Sequence, residues 1–167
     1  LLETDGDFST KQEHRDSKEN PPLNFDLTTL QREANSIWSW TSKRTLSVAQ
    51  ELYDTHKLTT YPRTDSRYLP EDMIETINKT ITQLGAQDQL NPHTERLKKN
   101  GLTNVSRNFN DNKVSDHYAI IPTGKLPQSN LSQDAAKLYD LICRQFLASF
   151  HPIAIWDVQT RISSKNN

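Results

Sequence analysis

The stretch "KLTTYPRTDSRYLP", Lys57 to Pro70, sets two prolines around a polar segment that carries two tyrosines and two arginines. A residue before proline is pushed out of the helical region and proline locks its own φ, so Tyr61–Pro62 is extended. Side chains alternate along an extended segment, which sends Tyr61, Arg63 and Asp65 to one side. Pro70 acts the other way. It suits a first helical turn, with Glu71 and Asp72 at the positive helix end. The stretch therefore reads as a stiff connector between two helical patterns.

On its N-terminal side, "TLSVAQELYDTHK" repeats Leu46, Ala49, Leu52 and Tyr53 at helical spacing. Before that, "LTTLQREANSIWSW" places Leu27, Leu30, Ala34, Ile37 and Trp38 on one stripe, and Thr28 with Gln31 has the spacing of a capping box. Trp38, Trp40 and Tyr53 read as packing aromatics. On the C-terminal side, Met73, Ile74, Ile77, Ile81 and Leu84 form a third stripe that Gly85 stops. Residues 87–115 are polar and irregular, a loop with room for one short helix. "VSDHYAIIPTG" is a short apolar run with β-branched residues. Ser132 caps a long helix through "QDAAKLYDLICRQFLASF", with Leu138, Tyr139, Ile142, Phe146 and Phe150 inward and Pro152 ending it. Cys143 inside that helix reads as a buried, inert thiol.

The two ends differ from this helical body. Residues 9–22, "STKQEHRDSKENPP", read as an exposed loop or linker. "LLETDGD" reads as the end of a strand, and Asp5 and Asp7 beside a glycine read as a turn rather than a metal site. The tail "IAIWDVQTRIS" alternates as a strand that finds its sheet elsewhere. A chain of 167 residues is long enough for one domain with a real core. No apolar run approaches the roughly 20 residues that span a bilayer, and no leader pattern is present, so a soluble intracellular protein is expected. One cysteine excludes an internal disulfide and a cysteine zinc cluster. Net charge is −1; residues 1–20 hold six acids against three bases, so that segment is −3 and the remainder +2. That balance argues against an autonomous nucleic-acid binder, while the basic bias near "TYPRT" is compatible with one strand on a small surface.

A phenol, with a pKa of about 10, is a weak nucleophile at neutral pH and needs a cation nearby and an electrophile in line. Arg63 supplies both for a phosphodiester, because its planar fork binds two oxygens while its charge offsets that of the transition state. Asp65 is placed to orient Arg63 or a histidine from elsewhere. Spacing alone leaves a second reading open, a surface turn in which Thr64, Asp65 and Ser66 bond to nearby backbone. His14, His56, His93 and His151 lie in polar or helix-terminal contexts and read as solvated surface. His117 follows Asp116 and abuts "AIIPT", a position equally suited to a structural or a functional imidazole.

Together, "TYPRTDSRYLP" and "SDHYAIIPT" resemble the type IA DNA topoisomerases, in their topoisomerase III branch. "PPLNFDLTTLQREAN" and "TLSVAQELYD" resemble the same family's approach to its active site, so the similarity runs from Pro21 to Thr123 and more diffusely onward. The resemblance implies that Tyr61 attacks a single DNA strand, leaving a 5′-phosphotyrosyl link and a free 3′-hydroxyl. It implies that Arg63 contacts the scissile phosphate and that His117 helps hold it. Gln50, Thr64 and Asp65 match active-site or near-site positions and, with Arg67, are candidate DNA-binding residues. Tyr118 stands where the family has a second histidine, so no second imidazole role is assigned.

The implied fold is mainly α, a CAP-like, winged-helix-like helical domain with short strands, flanked by strand segments of a neighbouring arch domain. Residues 1–22 would be an arch-domain strand end and polar linker, 23–152 the tyrosine-bearing third domain, and 153–167 the strand returning to the arch. The implied partners are single-stranded DNA and the toprim and arch domains, with no membrane, in the bacterial cytoplasm and its nucleoid. The implied cofactor is Mg2+, bound by a toprim domain that these residues do not resemble, so the fragment alone is expected to be inactive in ATP-independent relaxation or decatenation. Two rivals follow from the same residues: a non-enzymatic winged-helix DNA-binding module, and a tyrosine recombinase, which links to a 3′-phosphate and needs more arginines and a histidine upstream of its tyrosine.

Overall fold

The computed structural model describes residues 8–127 and 131–165. In chain order the elements are β1 (Phe8–Glu19), α1 (Leu27–Trp38), α2 (Ser42–Asp54), α3 (Ile74–Leu84), α4 (Asn91–Asn100), α5 (Val105–Asn108), α6 (Gln133–Ser149) and β2 (Ala154–Lys165). The described residues fall into two compact units, the helical one being Pro21–Pro152 and the other the two strands. The protein is thus mainly α with a two-stranded sheet. Among the described residues no helix is long and apolar enough to cross a membrane.

The helical unit is organised by α6, whose inward face buries Leu138, Tyr139, Ile142, Cys143, Phe146 and Leu147. Phe146 meets Phe150 edge-on at 5.4 Å between ring centroids, and Phe109 lies 6.0 Å from Phe150. Helix α2 packs on α6 and on α1, contributing Val48, Ala49 and Leu52. Burial pushes the Cys143 thiol up to about 12, so it is a packing group here. Ser132 caps α6 by accepting from the Ala135 N–H at 3.1 Å, as its position before the apolar stripe predicts.

Several elements differ from the sequence reading. The α1 cap is Asp26, not Thr28: Asp26 Oδ1 accepts from the Thr29 N–H at 2.6 Å while Thr29 Oγ1 accepts from the Asp26 N–H at 3.1 Å. Ile37 and Ile74 are 50% and 36% exposed, so the buried faces are narrower than the stripes suggest. The polar segment after α3 holds α4 and α5 rather than one short helix, because Leu90, Thr94 and Leu97 suffice to seat α4. Extended segments of this unit meet as isolated bridges, Phe25 with Ile120, Thr59 with Pro122 and Leu69 with Phe109, and no winged-helix hairpin forms among its described residues.

The second unit corrects one further expectation. Residues 8–19, expected from position 9 to be loop, form β1, paired antiparallel with β2 in a register running from Phe8 opposite Lys165 to Glu19 opposite Ala154. β2 is a strand as its alternation predicts, and its partner among the described residues is β1. β1 carries no apolar alternation because its described side chains are exposed, so cross-strand backbone bonds hold it without a buried face to announce it. The strand end and the turn expected at residues 1–7 lie outside the described residues.

Replacing Asp26 with alanine removes the acceptor for the Thr29 N–H, and the expected cost is about 1–2 kcal/mol. Urea denaturation checks this; Asp26→Asn should recover most of the loss.

Candidate active site

Two segments distant in sequence, residues 57–69 and 113–123, are laced side by side by hydrogen bonds. The Thr60 N–H donates to the Ile121 carbonyl at 2.9 Å and the Thr123 N–H to the Leu58 carbonyl at 2.9 Å. Prolines 62 and 122 have no N–H to contribute, and threonine and serine hydroxyls fill in. Thr60 Oγ1 donates to the Ala119 carbonyl at 2.8 Å and accepts from the Ile121 N–H at 2.9 Å. Thr64 Oγ1 donates to the His117 carbonyl at 2.9 Å, and Ser66 Oγ to the Lys113 carbonyl at 2.8 Å. The first N–H of α1, on Leu27, donates to the Thr64 carbonyl at 3.0 Å, tying the connector to the helical core.

This lacing puts Tyr61 against His117, with ring centroids 4.4 Å apart and planes tilted by 47°. Tyr53, near the end of α2, meets the other part of Tyr61 edge-on at 5.4 Å. Tyr61 and His117 share an open cleft of about 310 Å³ with Tyr53, Thr59, Thr60, Tyr118 and Thr123. Tyr61 is half-buried and His117 exposed, so the phenol is supported from within and reachable from outside. Burial, and then the neighbouring Tyr53, hold the Tyr118 phenol above the ordinary range. It therefore stays a protonated hydroxyl in the cleft at neutral pH.

Arg63 is exposed, and its partner is Gln50 rather than Asp65. With the Gln50 amide turned so that its oxygen faces the guanidinium, that oxygen accepts from Arg63 Nε and Nη2, each at 3.2 Å. Asp65 instead accepts from Ser115 Oγ at 3.1 Å, so it braces the second segment. Thr64 is buried, its hydroxyl committed to the His117 carbonyl, and it also accepts from the Ser66 N–H at 3.1 Å. The local hydroxyl turns expected of a surface loop are thus present together with the long-range bonds. Arg67 turns away to the Asn24 carbonyl at 3.0 Å and lines a different groove with Arg32 and Gln145. Among the described residues no three His, Cys, Asp or Glu side chains are grouped to hold a metal ion.

Tyr53 and Tyr118 are cleft residues that the sequence reading left out. Tyr53 sits on the apolar stripe of α2 and reads there as packing; only the turn after α2 brings it back over Tyr61. Tyr118 had a signal, since it adjoins His117 and stands at a family histidine position, but the resemblance assigns it no role there.

Comparison with known proteins supplies a family. A family model described as DNA topoisomerase matches residues 4–167. A protein of Shouchella clausii named DNA topoisomerase 3 is 49% identical over 135 residues, covering 79% of this chain and 18% of the relative. One of the same name from Bacillus subtilis is 45% identical over 132 residues, 78% of this chain and 18% of the relative. The chain therefore spans under a fifth of the length of these relatives. The solved full-length topoisomerase I from Thermotoga maritima shares the fold at a TM-score of 0.63 with 22% identity, over 98% of this chain and 29% of that one.

Thr64→Val keeps the shape but leaves the His117 carbonyl without its donor. The expected loss is about 1 kcal/mol in urea denaturation, together with weakened Tyr61–His117 ring NOEs. Thr64→Ser should restore both.

Proposed function

Since the chain belongs to the DNA topoisomerase family, we propose that it is the part of a type IA enzyme that carries the nucleophile, and that Tyr61 is that nucleophile. The observation that supports this most directly is the Tyr61 ring in contact with the His117 ring, centroids 4.4 Å apart and planes tilted, in an open cleft two residues from an exposed Arg63. In the proposed step Tyr61 Oη bonds to the phosphorus of a single DNA strand and the bond to the 3′-oxygen breaks. The phenolic proton leaves, and the departing 3′-oxygen takes one up. One phosphoester replaces another, so reversal reseals the strand without ATP, and strand passage between the two steps changes DNA topology by relaxation or decatenation.

The geometry of the neighbours supports a role for each. Arg63 gives one Nε–H and one Nη2–H to Gln50, which holds the guanidinium while its remaining N–H groups serve a phosphate. The His117 imidazole contacts Tyr61 ring to ring, a position suited to an oxygen of the phosphate that Tyr61 carries rather than to the phenolic proton. Thr64 and Asp65 act as positioning residues for the His117 segment, through its carbonyl and through Ser115. Magnesium, implied by the family, does not fit the donors of the described residues, and no step here runs through it. We place its site in a toprim domain, with the arch domain as the second partner, in a bacterial cytoplasmic enzyme that works at the nucleoid; the isolated chain is then inactive.

The test uses the full-length protein that contains this chain and a single-stranded oligonucleotide, quenched with denaturant. A covalent adduct that retains label from the 3′ end of the strand, and disappears in Tyr61→Phe, is the expected result. No adduct in either form would identify a binding module, and retention of the 5′-end label would identify the opposite linkage. Arg63→Ala should lower cleavage by about 10–100-fold while changing stability by less than about 0.5 kcal/mol. Parallel losses in cleavage and stability would assign Arg63 a structural role instead.

A further inference from the structure

A second cleft, of about 290 Å³, is lined by His93, Arg144, Leu147, Ala148 and His151 and shares no wall residue with the Tyr61 cleft. In the sequence both histidines read as solvated surface. Folding sets the first turn of α4 against the end of α6, so that the two imidazoles meet edge to face with ring centroids 6.4 Å apart. The His151 backbone is pinned on both sides. Its N–H donates to the Ala148 carbonyl at 3.0 Å, and its carbonyl accepts from Asn104 Nδ2 at 2.6 Å. The imidazole is therefore carried on a fixed base.

The charges around this cleft are unbalanced. From α4 comes His93 in the wall, with the exposed Arg96 behind it and near enough to act on His151, and Glu95 is engaged by Lys98 Nζ at 2.8 Å. From α6 come Arg144 and Asp140, already joined at 2.7 Å. Among the described residues no acid pairs with Arg96, His93 or His151. Burial first, then Arg96 and His93, hold His151 below the usual imidazole range. Arg144 lines the cleft and gives only its Nε–H to Asp140, which leaves its two Nη groups beside the imidazoles for a further acceptor, and an anion supplies one. A metal ion fits poorly, because no third ligand joins the two imidazoles among the described residues and two guanidinium groups repel a cation.

We propose that the cleft between α4 and the end of α6 is an oxyanion site for a phosphate group, with His93 and His151 as imidazole donors and Arg96 and Arg144 as fixed charge. The phosphate comes from a DNA backbone or from free phosphate, two sources that offer the same oxygens. An anion bound there favours imidazolium, so the His151 pKa rises on binding and affinity strengthens as pH falls from about 8 to about 6.

The experiment is a set of imidazole 1H–15N spectra of the 167-residue chain at low salt. The chain is titrated with inorganic phosphate, with a short oligothymidylate, and with the neutral methylphosphonate form of that oligomer. The expected result is movement of the His93 and His151 resonances with the phosphate-bearing probes and not with the methylphosphonate, growing as pH is lowered. Arg96 is exposed, so Arg96→Ala should fold and should weaken this binding by about tenfold while leaving the oligothymidylate effect on His117 unchanged. Tighter binding of the oligomer than of phosphate assigns the site to the strand, and equal or weaker binding assigns it to free phosphate. Unmoved His93 and His151 resonances with both, or equal shifts with the methylphosphonate, would overturn the site.

Discussion

The site depends on a hydroxyl that stands in for a missing amide. Between residues 57–69 and 113–123, Pro62 has no N–H to give to the facing segment, whereas Pro122 lies opposite Thr59 between the Thr60–Ile121 and Thr123–Leu58 bonds, where its own nitrogen is not called on. Thr64 Oγ1 reaches the His117 carbonyl, and Thr60 Oγ1 both gives and takes across the same gap. Thr64 is only 6% exposed, so the bond starts from a buried hydroxyl and reaches a part-buried acceptor. Proline makes Tyr61 stiff and takes away the ladder; threonine restores the attachment without restoring a strand.

That exchange explains how Tyr61, the proposed nucleophile, can sit on an irregular segment and still be held. The Leu27 N–H at the start of α1 binds the Thr64 carbonyl, and the Ile120 N–H binds the Phe25 carbonyl at 2.8 Å, so both segments are fastened to the same short lead into α1. The buried Ala119, Ile120 and Ile121 anchor the second segment in the core while His117, just before them, remains exposed. Rigid support beneath and open surface above is what the proposed nucleophile requires.

Much of the helical unit was legible because its information is local. The stripes of α2, α3 and α6 and the Ser132 cap are repeated signals within one turn or two, and they place Leu52, Ile77 and Phe146 in the core. Elements without a buried apolar face were not legible. α4 shows only a few inward residues, and β1 shows none among its described side chains, so composition made both look like loop. At the site, motif likeness pointed to Tyr61, Arg63 and His117, and the structure brings Tyr61 and His117 together. The bond from Thr64 to His117 joins residues 53 apart, and the choice of Gln50 over Asp65 as the partner of Arg63 depends on how α2 lies beside the connector. Neither distance in sequence nor residue type encodes such a choice; packing does.

The route from α2 into the connector shows how the fold bears on chemistry through backbone strain. Lys57 has φ of 56°, a left-handed conformation that costs a non-glycine residue roughly 1–2 kcal/mol. The turn it makes is held by the Leu58 N–H on the Leu52 carbonyl at 2.9 Å and by Thr123 Oγ1 on the Lys57 carbonyl at 2.8 Å, so bonds made only in the folded state offset that cost. A lysine there has a further effect. Its ammonium lies 5.3 Å from the centre of the Tyr53 ring, and the Tyr53 ring meets Tyr61 edge-on. Glycine would relieve the backbone but remove the cation, which leaves the strained lysine as the residue that links the end of a helix to the phenol.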